Sequence, residues 1–436
     1  MNYFVISLMK KSLLILLLTL IALVSGAQDT ITIMHYNLLN YGNYTSYCTS
    51  SNNNHEQKDT YLRTITGHVN PDIFTVNEIS QYEFYHNRIL TEVLNVSGKD
   101  YYRKAAITNI ADSYIINGLF YDSRKLVLYS QAVMQSYVRD INLYRLYFRS
   151  PSLAKGDTVF INCIVAHLKA SSGSSNEEAR AVMTNSVMNW LKTNMMPGNF
   201  LIMGDFNVYT SSEQAYQNLV NPPASNQGFR FYDPVDKPGD WNNNFSFAAW
   251  HTQSVSSSGN GCQASGGMDD RFDFILASAG IMQGNKGARY IPESYKALGQ
   301  DGKHFNRSIN DSPQNTSVPS GVLSALAVMS DHLPVIMKLK IDSGPTGGIT
   351  GPDVFKNAFV YRGDDRMNYL CIYSDRSITV ETGIYDLAGN LKSTGIYPLC
   401  GGRNDILIET DRLMPGFYLL NIRDKSGNDA TIKLAL

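Results

Sequence analysis

Five short segments of this chain put acidic, amide or imidazole side chains where an apolar, strand-like run stops. Asn37 and Asn40 lie in Tyr36-Asn37-Leu38-Leu39-Asn40, after the first run, and Asn77-Glu78 close the second. His167 follows residues 160–166, and Gly204-Asp205-Phe206-Asn207 follows residues 200–203. Ser330-Asp331-His332 precedes the last run, residues 333–341. A polar group at a strand end is exposed while its backbone is held rigidly, which suits a preorganised site. Carboxylates and amide oxygens are the donors that hard divalent cations take, and imidazoles exchange protons near neutral pH. Each segment alone also reads as a cap, a turn or a surface ion pair; Asp205 and Asn207, for instance, suit an Asx turn. Their joint occurrence in this order points to one centre.

The elements that must position these groups are short strands and two amphipathic helices. Strand-like runs cover residues 30–35, 73–77, 115–121, 159–166, 200–204, 272–277 and 335–341. Residues 58–68 and 176–194 carry helical periodicity, the first ending before Asn70-Pro71. Strands separated by helices predict a mixed α/β domain over residues 28–342. Residues 343–352 are a Gly/Pro linker. Residues 353–436 are strand-like with turns at Ala388-Gly389-Asn390, Pro415-Gly416 and Ser426-Gly427-Asn428, which predicts a small all-β sandwich. Two polar loops, residues 50–54 and 254–267, flank motif-bearing segments and are expected to form a lip around a cleft.

Residues 1–27 read as a signal peptide. Lys10-Lys11 precede the apolar run of residues 13–24, and Ser25-Gly26-Ala27 offer small residues for cleavage before Gln28. The expected destination is outside the cell or on its surface, and no transmembrane segment is expected in the mature chain. The whole chain is 43% hydrophobic and 11% aromatic, which excludes wholesale disorder. With 37 Lys+Arg against 38 Asp+Glu it is nearly neutral, which excludes the basic surface of a high-affinity duplex binder. A catalyst that releases its polymer is not excluded.

Asn37, Glu78, His167, Gly204-Asp205-Phe206-Asn207, Asp273 within Arg271-Phe272-Asp273-Phe274-Ile275-Leu276, and Ser330-Asp331-His332-Leu333-Pro334-Val335 together resemble the endonuclease/exonuclease/phosphatase superfamily. The resemblance spans about residues 30–341 and implies a four-layered α/β sandwich, two central β-sheets flanked by helices. It also implies Mg²⁺-dependent cleavage of phosphate esters, with Mn²⁺ or Ca²⁺ as alternatives. By resemblance, Glu78 is the main metal ligand, Asn37 lies nearby and Asp331 is a second ligand, with Asn40 a weaker one. Asp205 orients or deprotonates the attacking water, and Asn207 donates to a phosphate oxygen. His332 meets the phosphate, Asp273 holds its other ring nitrogen, and His167 donates to the phosphate or leaving group. A histidine at position 167 makes the chain look more like the deoxyribonuclease I-like and sphingomyelinase-like branches than the apurinic endonucleases. The expected substrate is DNA, with RNA as a further one; a sphingomyelinase-like lipid phosphodiesterase is the alternative, for which the aromatic segment of Trp241 and Trp250 would have to meet the membrane. Lys169, Arg180, Arg271 and Lys303 are candidate substrate contacts. A monomer is expected.

Tyr385-Asp386-Leu387-Ala388-Gly389-Asn390 and residues 413–422 resemble the C-terminal sorting domains of type IX secretion in Bacteroidetes, which would make that secretion machinery a partner. Of five cysteines, Cys48 and Cys262 are expected to pair across the cleft rim and Cys371 and Cys400 within the C-terminal module, with Cys163 a buried thiol.

Overall fold

The computed structural model describes residues 29–150, 158–342 and, in the C-terminal region, 358–435 except 363–366, 375, 387, 412 and 415. The signal-peptide reading of residues 1–27 and the linker at 343–352 lie outside the described residues.

The chain opens with β1 (Asp29–Tyr41), α1 (His55–Val69), β2 (Ile73–Ser80), α2 (Glu83–Arg88), β3 (Tyr102–Lys104) and β4 (Ile115–Asp122). It continues with β5 (Leu126–Gln135), β6 (Ile141–Phe148), β7 (Phe160–His167), α3 (Ser174–Asn194), β8 (Phe200–Asp205), α4 (Gln214–Val220) and β9 (Phe231–Tyr232). The α/β domain closes with β10 (Asp273–Ser278), α5 (Ala279–Gln283), β11 (Ala288–Tyr290), β12 (Lys296–Ala297), α6 (Ser320–Met329) and β13 (Val335–Ile341). One sheet runs β11-β13-β1-β2-β4-β3, with β12 also on β13; the other runs β5-β6-β7-β8-β10-β9.

Period-two patterning stacks the two sheets. Along β7, β8 and β10, Cys163, Val165, Leu201, Met203, Ile275 and Ala277 enter the core shared with Ile33, Val76 and Phe120 of the first sheet. Their neighbours Ile164, Ile202, Phe274 and Leu276 face the other way, into a core with Met183, Val187 and Leu191 of α3 and Leu219 of α4. Leu62 and Ile65 of α1 and Leu326 of α6 join the first core. The result is the expected four-layered α/β sandwich. Parity then aims the strand-end groups: His167, Asp205 and Asp273 share the inward face of Val165, Met203 and Ile275, towards the first sheet.

The C-terminal region is all-β, with a three-stranded sheet and a four-stranded sheet around Leu370, Ile372, Val380, Leu420 and Ile422. Cys48 and Cys262 form a disulfide. Cys371 and Cys400 do not pair: Cys371 is buried on its strand and Cys400 is exposed, and both are free thiols, as is the buried Cys163.

Gly204 shows how tightly the site is built. It sits opposite Ala166 in the parallel β7–β8 ladder. Its φ is +154°, and a Cβ there would lie 1.7 Å from the Ala166 carbonyl oxygen. No side-chain rotation relieves a clash with backbone. Gly204→Ala is therefore expected to cost at least about 3 kcal/mol. Chemical denaturation would show it, and a loss within about 0.5 kcal/mol would mean that the strands part without cost.

Candidate active site

The ladders bring the motif residues to one end of the facing sheets. Asp205 pairs with both His167 and Asp273 in register, and Asn37 pairs with Asn77. Glu78 was expected at a strand end. It sits inside β2 at a break in register, with φ +57°, and the break turns its side chain towards the neighbouring sheet. Asn40 and Leu39 are also left-handed, at φ +50° and +46°, in the matching irregularity of β1. Lys58, wholly buried, fixes that irregularity by donating to the Leu38 and Leu39 carbonyls and to Asn53 Oδ1 at 2.6–2.7 Å.

At the centre stands the Asn37 side-chain amide. Its Nδ2 donates to Glu78 Oε1 at 3.1 Å and to Asp205 Oδ2 at 3.0 Å. His167 Nε2 lies 3.8 Å from Glu78 Oε1 and 3.7 Å from Asp205 Oδ2. One donor atom from each of Glu78, His167 and Asp205 falls within 4.8 Å of the others, the spacing of a metal-ligand group. The second oxygens are held from behind: Glu78 Oε2 accepts from Asn40 N at 3.0 Å, and Asp205 Oδ1 from Asn207 N at 3.0 Å.

His332 stands on the other side of Asp205, with Nε2 3.7 Å from Oδ2. Its Nδ1 is 2.7 Å from Asp273 Oδ2. Asp273 Oδ1 is buried and accepts no hydrogen bond among the described residues, so the ring is this carboxylate's chief partner. Burial by itself pushes the His332 pKa down, but Asp273 and Asp205 outweigh it and hold the imidazole well above its usual 6.5. His167 goes the opposite way: burial, with the nearby Arg139, His332 and His35 charges, holds it well below 6.5, so it is a neutral base or ligand. Asp205 is pushed up to about 7, chiefly by burial, with Asp273 and Glu78 adding repulsion and His332 and Asn37 opposing it. The half-buried Glu78 and the buried Asp205, kept this close, are a pair whose repulsion a divalent cation between them would relieve.

Asp331 does not join this group. Its Oδ2 accepts from Ala264 N at 2.9 Å and Gln253 Nε2 at 3.2 Å. Its Oδ1 is 3.9 Å from His332 Nε2. It anchors the loop that carries Cys262 and neighbours His332, while His167, expected to contact the phosphate, lies within the Glu78–Asp205 group instead.

Two expected substrate contacts are corrected. The Arg180 guanidinium is fully buried, paired with Glu213 Oε2 at 2.8–2.9 Å and donating to the Lys169 and Ser171 carbonyls. Arg271 is 1% exposed and forks onto both oxygens of Asp233 at 2.8 and 2.9 Å. Both brace the loops behind the site instead of facing a substrate. Lys169 is half-buried, with Nζ on the adjacent Ala170 carbonyl, and Lys303 is exposed. Asn207, at φ +52°, reaches the Leu168 carbonyl only at 3.5 Å, which leaves its amide free to donate elsewhere.

Three participants, Asn117, Gln253 and Arg139, carry no motif signal, and Asn77 was marked only as the neighbour of Glu78. Asn77 Oδ1 accepts from Asp205 N at 2.9 Å, and its Nδ2 donates to Asn117 Oδ1 at 2.7 Å, so a buried amide chain crosses between the sheets beneath Asp205. Asn117 continues it to Asn142 Oδ1 and the Val165 carbonyl. Gln253 Nε2 lies 2.7 Å from His332 Nε2, so a protonated His332 must meet this amide through its oxygen, turned about from the orientation seen. Arg139 makes no ion pair among the described residues; its NH1 donates to the Leu168 carbonyl at 3.2 Å, while the charges of Glu78 and Asp205 act on it. A lone Gln or Arg in a loop has no periodicity that could reveal it; only position in space does.

The chain matches no protein-family model and no curated protein. Among solved structures, a humanized D. rerio TDP2 is similar at 12% identity, with 71% of this chain and 98% of that one covered and a TM-score of 0.44. An endonuclease/exonuclease/phosphatase family protein from Bacteroides thetaiotaomicron is similar at 15% identity, covering 73% and 100%, with a TM-score of 0.43. The mannosyl-6-phosphatase Bt3783 of the same organism stands at 15% identity, 71% and 99% covered, and a TM-score of 0.42. Likeness at this level identifies neither family nor activity; the geometry carries the functional reading.

Proposed function

We propose that this protein is a secreted, divalent-metal-dependent phosphodiesterase, and most specifically a nuclease acting on DNA. The observation that carries the reading is the Glu78–His167–Asp205 group, with a charged His332 beside it. Glu78 and Asp205 suit Mg²⁺, and the imidazole of His167 suits Mn²⁺ as well. The metal, when bound, offsets the phosphodiester's charge and polarises a phosphoryl oxygen. The chain's own groups supply the rest. Asp205 receives a proton from the attacking water as the new oxygen–phosphorus bond forms and the bond to the leaving oxygen breaks; the leaving oxygen is protonated from solvent. Asp205 suits this task by position, with Oδ2 3.7 Å from both His167 Nε2 and His332 Nε2. His332, kept charged by Asp273, donates to a phosphoryl oxygen as negative charge grows there. The free amide of Asn207 donates to another, and Arg139 adds a guanidinium on the side of Glu78. Asn37 and Asn77 hold the carboxylates in place.

The lipid alternative loses its support. Trp241 is wholly buried, edge-on to Tyr216, and Trp250 packs against the first core, so the two tryptophans expected to meet a membrane are packed inside. No described helix is long and apolar enough to cross a membrane. The C-terminal module takes the role of a sorting domain read by type IX secretion machinery; its deletion should trap the protein in the periplasm.

The substrate panel that tests the function is duplex and unpaired DNA, RNA, sphingomyelin vesicles and sugar phosphates, each with Mg²⁺ and with EDTA. Metal-dependent cleavage of DNA supports the reading, and cleavage of sphingomyelin or a sugar phosphate alone rejects it.

Proton and metal should compete. Below about pH 7 Asp205 holds a proton that a cation must displace. Mn²⁺ affinity is therefore expected to rise up to about tenfold per pH unit towards 7 and to level off above it. Titration calorimetry across pH 5.5–8.5 measures this; a flat profile would take Asp205 out of the metal group.

A further inference from the structure

Six large aromatic side chains stand out in solvent around the site: Tyr47, Tyr82, Phe84, Tyr114, Tyr137 and Phe245 are between 60% and 75% exposed. Their placement is not scattered. Tyr82 and Phe84 follow β2 four and six residues beyond Glu78, and Tyr114 directly precedes β4, whose Ile115 pairs with Ser80. Tyr137 lies in the β5–β6 turn, two residues before Arg139. Tyr47 adjoins the disulfide cysteine Cys48, and Phe245 is two residues from Asn243, whose N donates to the Asp269 carbonyl, four residues before Asp273, at 2.8 Å. All are at the catalytic end of the two sheets. Among the described residues of the α/β domain, only Tyr129, in mid-strand, is an exposed aromatic away from that end.

Three of them form a continuous arc. Gln81 N donates to the Tyr114 carbonyl at 3.2 Å, which seats Tyr114 beside Tyr82. Asp140 accepts from Ile110 N and Ala111 N at 2.8 and 2.9 Å, which fastens the Tyr114 loop to the Tyr137 turn. The arc therefore runs from the loop after Glu78 to the turn that carries Arg139. So many large rings exposed along linked loops at one end of a domain mark a binding surface.

We propose that this arc is a stacking platform for the bases of an unpaired nucleic-acid strand whose phosphate lies at Glu78, Asp205 and Arg139. The inference rests on the phosphodiesterase reading and names the form of its substrate. The rings are mostly tyrosines, whose flat faces take any base, and one unpaired guanidinium marks the backbone path. A duplex hides its base faces, and gripping it by its phosphates takes a set of cations; the chain as a whole has net charge −1. A bilayer would call for aliphatic side chains with a basic fringe, and this arc supplies tyrosines.

The test uses the whole protein with an unpaired oligonucleotide, the same sequence as a duplex, and methyl p-nitrophenyl phosphate. The unpaired strand should be cleaved at least about tenfold faster than the duplex at subsaturating concentration. In Tyr82→Ala and Tyr114→Ala, KM for the unpaired oligonucleotide should rise about tenfold relative to KM for the small diester, as expected for one lost stacking contact. Hydrolysis of the small diester with no change in that ratio, or equal cleavage of duplex, would overturn the platform while leaving the phosphodiesterase reading intact. Fluorescence anisotropy with a labelled oligonucleotide in EDTA reads the platform without catalysis: weaker binding by the variants supports it, and unchanged binding, or avid binding to phosphatidylcholine vesicles instead, refutes it.

Discussion

His332→Ala is expected to lower kcat/KM for phosphodiester hydrolysis by about 10³-fold or more. Loss of one preorganised donor to developing negative charge costs about 10²–10³, and here the donor is also a cation in a buried setting. The imidazole is 3% exposed, 2.7 Å from Asp273 and 3.7 Å from Asp205. Removing it leaves two buried carboxylates without their counter-charge, so the alanine variant should also be less stable. Asp273→Asn separates the two effects, because the ring stays while the charge that holds its proton is gone. The wild-type imidazolium persists well above pH 6.5. In Asp273→Asn its pKa falls back, and activity should drop as pH rises through the region just above 6.5, where wild type is still active. The same linkage governs stability. A histidine with a raised folded pKa contributes fully below its unfolded value near 6.5, and the contribution is lost as pH rises through the folded value. A pH–rate profile for Asp273→Asn that overlays the wild type would show that the His332 proton plays no part.

Glu78→Gln should be nearly as damaging to activity and far milder to stability. The substitution keeps the shape of the side chain and removes its charge. Metal affinity is expected to fall at least about 100-fold, beyond the 10–100-fold typical of an outer-shell partner, and activity about 10³-fold with it. The metal-free protein, however, gains relief, because Glu78 is one of the charges that push Asp205 up to about 7. Its left-handed backbone, φ +57°, is strain held in place by the two irregular strands. Against this relief stands one lost acceptor, because Oε1 and Oε2 each take an N–H, from Asn37 and Asn40; Glu78→Gln should thus melt within a few degrees of the wild type in EDTA, and gain less from added Mn²⁺. A variant that melts far lower in EDTA would make Glu78 a structural residue.

How much of this was legible from residues alone divides along physical lines. The strands that carry the site have dense, β-branched apolar runs; the ends of β7, β8, β10 and β13 could be read to within one residue, while β1 and β2 run six and three residues past their apolar patterns, through Asn37 and Glu78. The β5–β6 hairpin escaped notice, since its half-buried alternation in β5 resembles many surface strands. So did α6, apolar on most faces and too short to be told from a buried strand. The expectation for Glu78 erred because nothing in Asn77-Glu78-Ile79 signals a register break; that comes from how β2 meets both β1 and β4 at once. Arg180 and Arg271 looked like substrate contacts because their partners Glu213 and Asp233 lie 33 and 38 residues away. Gln253, Asn117 and Arg139 act only through proximity. The pairing of Cys48 with Cys262 was readable from two polar loops beside motif segments, while the same logic failed for Cys371, whose strand buries it away from Cys400.

The central claim is that Glu78, His167 and Asp205 gather a single divalent cation next to a charged His332. Anomalous diffraction from crystals soaked in Mn²⁺ addresses it directly. The account predicts one strong peak within about 2.2 Å of a Glu78 and an Asp205 oxygen, the distance of a small divalent cation from carboxylate ligands, and its loss in Glu78→Gln. A peak elsewhere on the molecule, or a protein that cleaves phosphodiesters with those three side chains unliganded, would contradict it.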